Sequence, residues 1–400
     1  MESGDIAWML ISTALVLFMV PGLALFYGGM VRSKNVLNML NMNTYCLGIV
    51  PLLWVLLTYS LGNNGSGDGF PGAWIGNFDL VGLDGLSGDA EALIGVAFLM
   101  TFAAITPALI SGAVADRMTF SAWVVFVPIW SLLVYTPVTF WVYTGWHTDL
   151  DPHSIDFAGG TAIHINAGVA ALAVVLVLGK RKGWPETAMP PHNLTFVMLG
   201  AGILWFGWFG FNAGSAFAAN GQAVQALLNT FVAAAAGMIG WLAIEKLRDG
   251  HATTLGGASG VVAGLVAITP AAGYVGGLSP IIFGFVASVC CYFAIQLKTK
   301  YGYDDSLDVV GVHMVGGIVG GVLLGFFADA RIGGTDGLFF GDGGLVVSQV
   351  IAIVSVLVFS FVVTYAIAKG LDSVMGIRVD DEDEITGLDQ TQHAETAYLD

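Results

Sequence analysis

The sequence predicts an all-α integral membrane protein with eleven transmembrane helices. Three observations carry that prediction. Hydrophobic residues make up 56% of the 400-residue chain and charged residues only 10%, with a mean hydropathy of +0.79, whereas a water-soluble domain carries about a quarter charged residues. Apolar stretches long enough to cross about 30 Å of hydrocarbon recur from end to end. The basic residues, finally, fall almost entirely on one side once those stretches are threaded alternately.

By the ~20-residue criterion the spans run at about 6–31, 38–61, 92–115, 119–143, 158–179, 194–218, 222–246, 254–272, 276–297, 307–328 and 344–369. None alternates with the period of two that a membrane β-strand requires, and each is too long for one. The first opens with Glu2 and Asp5 instead of a basic segment, so it reads as a helix of the mature protein and not as a cleaved signal. The fourth ends in aromatic residues, Trp141, Tyr143 and Trp146. The fifth and tenth each hold a histidine.

Arg32, Lys34, Arg117, Lys180, Arg181, Lys182, Lys246, Arg248, Lys298, Lys300, Lys369 and Arg378 thread to one side and Arg331 alone to the other. Positive residues mark the cytoplasmic side, which puts the N-terminus outside and the C-terminus in the cytoplasm. The exterior loops are acidic, with Asp68, Asp79, Asp84, Asp89 and Glu91 in one of them. Such a surface suits ordinary solvation, cation attraction or, the reading favoured here, a high-salt habitat. Residues 1–370 form the membrane domain and 371–400 a hydrophilic tail. Its acidic run Asp380–Glu384 fits disorder, and its turn-rich Gly376-Ile377-Arg378-Val379 fits a docking element equally well. The net charge of −16 excludes nucleic-acid binding. Cys46, Cys290 and Cys291 have neither disulfide nor metal-ligand spacing, and no phosphate loop or nucleophile–base pair suggests an enzyme or a cofactor.

Ionisable side chains inside a bilayer are costly and so become candidates for function. His164 lies in Gly159-Gly160-Thr161-Ala162-Ile163-His164-Ile165-Asn166, and His313 in Val309-Val310-Gly311-Val312-His313-Met314. Each follows an aspartate by eight residues, Asp156 and Asp305. Spans five and ten close two five-helix halves, at about 1–180 and 194–328, followed by a last helix. An odd repeat length inverts the second half, a plan that puts the substrate path at the interface between halves. The two histidines then meet near the midplane, where neutral imidazoles can share a hydrogen bond or pass a proton. Two imidazoles alone make a poor zinc site. Asp156 and Asp308, at the starts of spans five and ten, read as helix caps, with a role for Asp156 in holding a cation left open. Phe102 in span three and Trp208, Phe209 and Phe211 in span six are either packing residues or an aromatic cage for a small cation.

Phe102-Ala103-Ala104-Ile105-Thr106, Asp156-Phe157-Ala158-Gly159-Gly160-Thr161 with its histidine, Trp208-Phe209-Gly210-Phe211-Asn212-Ala213-Gly214-Ser215 and Asp304-Asp305-Ser306-Leu307-Asp308 resemble the ammonium transporter (Amt/Mep/Rh) family, in the same order and along nearly the whole chain. The resemblance implies a homotrimer in the cell membrane, with one narrow hydrophobic pore per subunit. It further implies ammonium recruitment at Phe102, Tyr143, Phe211, Ser215, Asp156 and Trp208, a gate of Phe102 over Phe211, and a pore pair of His164 and His313. Many members carry a tryptophan at the end of span four where this chain has Tyr143. The tail motifs Gly387-Leu388-Asp389 and His393-Ala394-Glu395-Thr396-Ala397-Tyr398 are similar to the family's docking region for a trimeric PII-type (GlnK-like) signal protein. The expected substrate is ammonium or ammonia. An ammonium sensor and a neutral-gas channel of the Rh kind are the alternatives.

Overall fold

The computed structural model describes residues 1–65 and 69–398, so Asp68 of the acidic loop lies outside the described residues. Among the described residues, ten helices are long and apolar enough to cross a membrane: α1 Ser3–Met30, α2 Ser33–Asn63, α3 Ala90–Val114, α4 Phe120–Asp149, α5 Gly160–Leu178, α6 Leu194–Gly214, α7 Gly221–Asp249, α9 Ser279–Tyr301, α10 Val310–Phe327 and α11 Gly344–Met375. The shorter apolar helix α8, Thr254–Ile268, is the eleventh. Two short helices, α12 Asp381–Thr386 and α13 Leu388–His393, complete the chain.

Small polar side chains start these helices as capping chemistry demands. Asp89 accepts from the amides of Glu91 and Ala92, Thr119 from Ala122, Asn193 from Phe196, Asn220 from Ala223 and Thr253 from Gly256. Gly179, Gly250 and Gly302 stop α5, α7 and α9 at positive φ, a backbone region that only glycine enters without steric cost. Pro51 and Pro128 lie inside α2 and α4, and each is followed three residues later by a π-helical stretch, Trp54–Thr58 and Ser131–Tyr135. A proline withholds one amide from the ladder, and the wider turn accommodates the break.

The eighth predicted span ends early. At 15 residues α8 is only about 22 Å long, short of a full crossing. Pro270 stops it, and the chain continues as a turn whose carbonyls are satisfied from within the protein: Asn229 Nδ2 donates to Ala272 and Val275, and the Phe157 amide to Pro270. Non-helical backbone at membrane depth survives only with such partners. Close approach made possible by glycine joins α7, α8 and α9. A Cβ on Gly264 would come within 2.3 Å of the Ala233 carbonyl oxygen, and one on Gly284 within 2.1 Å of the same atom.

The tail is docked. Its strand-like segment pairs with the α3–α4 loop, the Thr119 amide donating to Ile377 O at 3.0 Å and the Val379 amide to Arg117 O at 3.0 Å. Arg378 pairs with Glu384 at 2.7 Å, and Glu384 also accepts the Lys182 amide. Asp389 accepts the Asn38 amide, Asn35 accepts the Leu388 amide, and Lys34 reaches the Ile385 carbonyl. The acidic run thus opens a short helix that is anchored through the buried Glu384, while Asp380, Asp381 and Glu382 face solvent. The face carrying it is called the tail face below; the N-terminal ammonium sits on the far face, against Glu91.

Candidate functional site

On the far face a cavity of about 670 Å³ opens between helix ends, lined by Phe102, Tyr143, Asp156, Ser215, Phe217 and Tyr274 among others. The Asp156 carboxylate sits beneath it and accepts four amide hydrogens, from Gly159, Gly160, Thr161 and Ala162, at 2.5–3.1 Å. Those are the orphan donors of the α5 N-terminus, so Asp156 is a helix cap in its geometry. It is nonetheless a carboxylate on the cavity wall. Ser215, just past the end of α6, donates its hydroxyl hydrogen to Phe211 O at 2.9 Å, which leaves its lone pairs available to accept from a ligand. Tyr143 is 39% exposed and adds a ring face to the wall.

Beneath the cavity the Phe102 and Phe211 rings stack at 4.2 Å with a 21° interplanar angle, and both are buried. Below them a void of about 10 Å³, lined by Phe211, Trp208, Ile163, His164 and His313, has room for about one small molecule. His164 Nδ1 and His313 Nδ1 are 3.2 Å apart. One ring must donate there and the other accept. In the neutral pair one outward Nε2 therefore carries a lone pair and the other a hydrogen. His164 Nε2 is buried without a protein partner.

Each histidine lies in a π-helical turn, Gly160–Ile165 in α5 and Val310–Met314 in α10, a feature that recurs at functional sites because it displaces a side chain from the regular ladder. The turns are built alike. Asp156 caps the first; Asp305 caps the second, accepting the Val309 and Val310 amides at 3.1 and 2.7 Å. The expectation that Asp308 caps span ten is therefore corrected. Asp308 has φ +64° and turns its carboxylate to Lys298 Nζ at 2.5 Å. A carboxylate eight residues before the histidine, not five, reaches the free amides.

Trp208 sits deeper than the other aromatic residues of the expected recruitment site. Its indole is not on the cavity wall but stacks on His164 at 5.4 Å and 19°, held by donation from Nε1 to Thr269 Oγ1 at 2.8 Å. It packs against the His164 imidazole, one layer below the cavity wall. Sequence reasoning missed Thr269, Tyr274 and Lys298. Thr269 and Tyr274 belong to the turn after α8, of which hydropathy merges Thr269 into the eighth span and leaves Tyr274 in a short link between spans; Lys298 looked like one more residue of the basic face.

Toward the tail face a void of about 20 Å³ lined by Tyr27, Trp241, Asp308, Val312 and His313 leads to a cavity of about 340 Å³. The larger cavity is bordered by Arg32, Asp116, Arg181, Lys298, Ser306 and Asp308. Arg181 forks onto Asp304 at 2.8–2.9 Å and lies 3.6 Å from Asp116, which also accepts Arg32. Burial pushes the Asp304 carboxyl up, and the Arg181 fork together with the Arg117 charge more than offsets this, leaving it below the usual aspartate range.

The profile of a family described as Ammonium Transporter Family matches residues 7–398. An ammonium transporter of Mycobacterium bovis is 50% identical over 432 aligned positions, covering 99% of this chain and 90% of that protein. The crystal structure of Saccharomyces cerevisiae Mep2 superposes with a TM-score of 0.88 at 32% identity, over 96% of this chain and 88% of that one. A structure titled Sensor Amt Protein superposes with a TM-score of 0.91 at 25% identity, over 98% of both chains.

Proposed function

The chain belongs to the ammonium transporter family, a multi-pass membrane protein, and from that premise we propose how it works. Ammonium is recruited from outside at the far-face cavity, loses its proton near the Phe102–Phe211 stack, and crosses as ammonia past His164 and His313, which relay the proton, giving net charge transfer. The observation that carries this reading is the order along one line: an aromatic and carboxylate-bearing cavity, a stacked aromatic closure, then two imidazoles in a narrow apolar passage.

The physics favours division of the ion. Ring faces and the lone pairs of Ser215 suit a small cation. A passage too narrow for a hydration shell imposes a desolvation cost of many kcal/mol on a charge, while neutral ammonia enters with little. Tyr143 supplies a ring with a weaker quadrupole than tryptophan, plus a hydroxyl.

The tail face is then cytoplasmic, by the segregation of basic residues, and the protein resides in the cell membrane. The membrane domain, 1–370, holds two inverted halves; the like construction of the α5 and α10 starts supports that arrangement. Three copies form the homotrimer, and the docked tail, 371–400, offers a site for a PII-type protein that blocks the pore. Pull-down of a PII protein by the full chain but not by a chain ending near Lys369 supports that partner; equal binding by both rejects it.

The deciding experiment is a solid-supported membrane recording on reconstituted protein after an ammonium pulse. A saturating current absent with potassium is the expected result. Ammonia flux without current makes it a neutral channel. Silence in both measurements favours an ammonium sensor, the reading to which the Sensor Amt Protein likeness and the docked tail lend support.

A further inference from the structure

Past His313 the passage toward the tail face meets one carboxylate that borders both the small void under the imidazole and the larger cavity beyond it, Asp308. Its backbone is in the left-handed region, φ +64°, a conformation that costs a non-glycine residue free energy and persists where the surroundings enforce it. They do so here: the Leu307 amide donates to Gly112 O at 3.1 Å, and the Asp308 carbonyl accepts the Val312 amide at 2.9 Å. The side chain is thereby held on the passage wall and not over the helix start, where Asp305 already serves. Its partner is the ammonium group of Lys298, at 2.5 Å, which donates also to the Asp305 carbonyl at 3.0 Å. Both side chains keep solvent contact, 25% exposed for Asp308 and 19% for Lys298. Water, and so a small cation in the cavity, reaches both ends of the pair.

The chemistry of the partner is the point. A lysine Nζ presents three N–H donors and a single positive charge at a tetrahedral nitrogen, which is the recognition surface of ammonium itself. We propose that Asp308 is an inner ammonium site and that Lys298 is its tethered occupant, which each ammonium ion must displace to bind from the tail face. The tether acts as a competitor of fixed local concentration. It weakens ammonium binding from the cytoplasm without touching the outer site, so that ammonium arriving within is released and cytoplasmic ammonium re-enters poorly. This inference rests on the transport reading above and on the orientation given there. Arg32, Arg181 and Asp116 border the same cavity, but Arg181 is committed to Asp304 and Asp116, and Asp116 to Arg32. Lys298 is the cation paired with Asp308.

The test uses the full-length chain in right-side-out and everted membrane vesicles, with ammonium as the probe and flux read by a pH dye in the lumen. The quantity is the ratio of half-saturating ammonium at the tail face to that at the far face. Lys298→Gln should lower this ratio about tenfold, within the usual range for coupling between two ligands. Asp308→Asn should raise it, and adding Lys298→Gln to Asp308→Asn should produce no further change, since the competitor then has nothing to compete for. Lys298→Arg keeps a cation on Asp308 and reports on folding; its ratio should stay near that of the unaltered chain. An unchanged ratio in Lys298→Gln, or an equal shift with and without Asp308, overturns the inference while leaving transport intact. Absence of flux in the unaltered chain overturns the transport reading and this inference with it.

Discussion

At the scale of single residues, the aromatic stack and the wall above it make separable demands. Phe211 is buried, so Phe211→Ala should lower the melting temperature, at about 3–5 kcal/mol for the ring removed, while joining the far-face cavity to the histidine void. A potassium current absent from the unaltered protein is the expected consequence in a solid-supported membrane recording; continued silence with potassium would show that the imidazole passage, not the stack, excludes the ion. Tyr143→Trp tests the wall from the opposite direction. A larger quadrupole improves a cation–ring contact by about 0.5–1 kcal/mol, and half-saturating ammonium should fall about threefold. Asp156 is the residue whose role geometry redefines. Because its carboxylate accepts four amides, Asp156→Asn turns an NH₂ group toward N–H donors and leaves at least one unsatisfied, at about 1–3 kcal/mol. We expect a lower melting temperature and a loss of flux of about tenfold or more, the second because the α5 turn that presents His164 loosens. Flux lost with an unchanged melting temperature would instead mark Asp156 as a ligand of the cation alone.

At the scale of elements, hydropathy located the apolar helices, because lipid solvation demands about 20 apolar residues wherever the chain crosses, and ten helices among the described residues meet that demand, whereas the short helices of the tail carry no such signal. It failed where protein replaces lipid as the surroundings. The turn after α8 is as apolar as a span, yet Pro270 breaks it and Asn229 supplies the hydrogen bonds that permit the break. The histidine pair was legible, since an ionisable residue in an apolar run is costly and two at matching positions point to one shared site. The division of labour between Asp305 and Asp308 was not, because it turns on one left-handed residue and on a lysine in a different helix. The chain's 55 glycines imply close packing of helices without saying where. In the α7–α8–α9 group the answer is the Ala233 carbonyl, against which both Gly264 and Gly284 press. Either glycine replaced by alanine forces helices apart in a packed interior, at about 1–3 kcal/mol. A thermal melt in detergent should show a lower midpoint for Gly264→Ala, while Gly202→Ala, where nothing lies within 4 Å of the added carbon, should match the unaltered chain. Equal midpoints would mean that the three helices slide without penalty.

At the scale of the whole molecule, the tail joins segments far apart in sequence: the first turn of α2 through Lys34 and Asn35, the α3–α4 loop through Arg117 and Thr119, and the α5–α6 loop through Lys182 and His192. Asn35 stands at the junction, accepting the Leu388 amide with its oxygen and donating to the Asp116 carboxylate with its nitrogen. Asp116 in turn contacts Arg181 at the edge of the tail-face cavity. Asn35 and Arg117 thus each touch both the tail and the charged groups around the passage mouth. Glu384 is the point at which to break the attachment, since it is buried, accepts from both Arg378 and the Lys182 amide, and belongs to the tail. Removing one partner of a buried, hydrogen-bonded ion pair costs several kcal/mol because the other is left uncompensated. The other ties of α12 are Lys34 at the Ile385 carbonyl and the exposed Lys182–Asp381 pair, of which a surface pair adds little, so Glu384→Ala should loosen it. Limited proteolysis of everted vesicles should then cut Glu384→Ala between Met375 and Leu388 under conditions that leave the unaltered chain whole. If the tail stays protected, the backbone pairing of Ile377 and Val379 with the α3–α4 loop suffices to hold it, and Arg117 with Thr119 becomes the place where tail and membrane domain are joined.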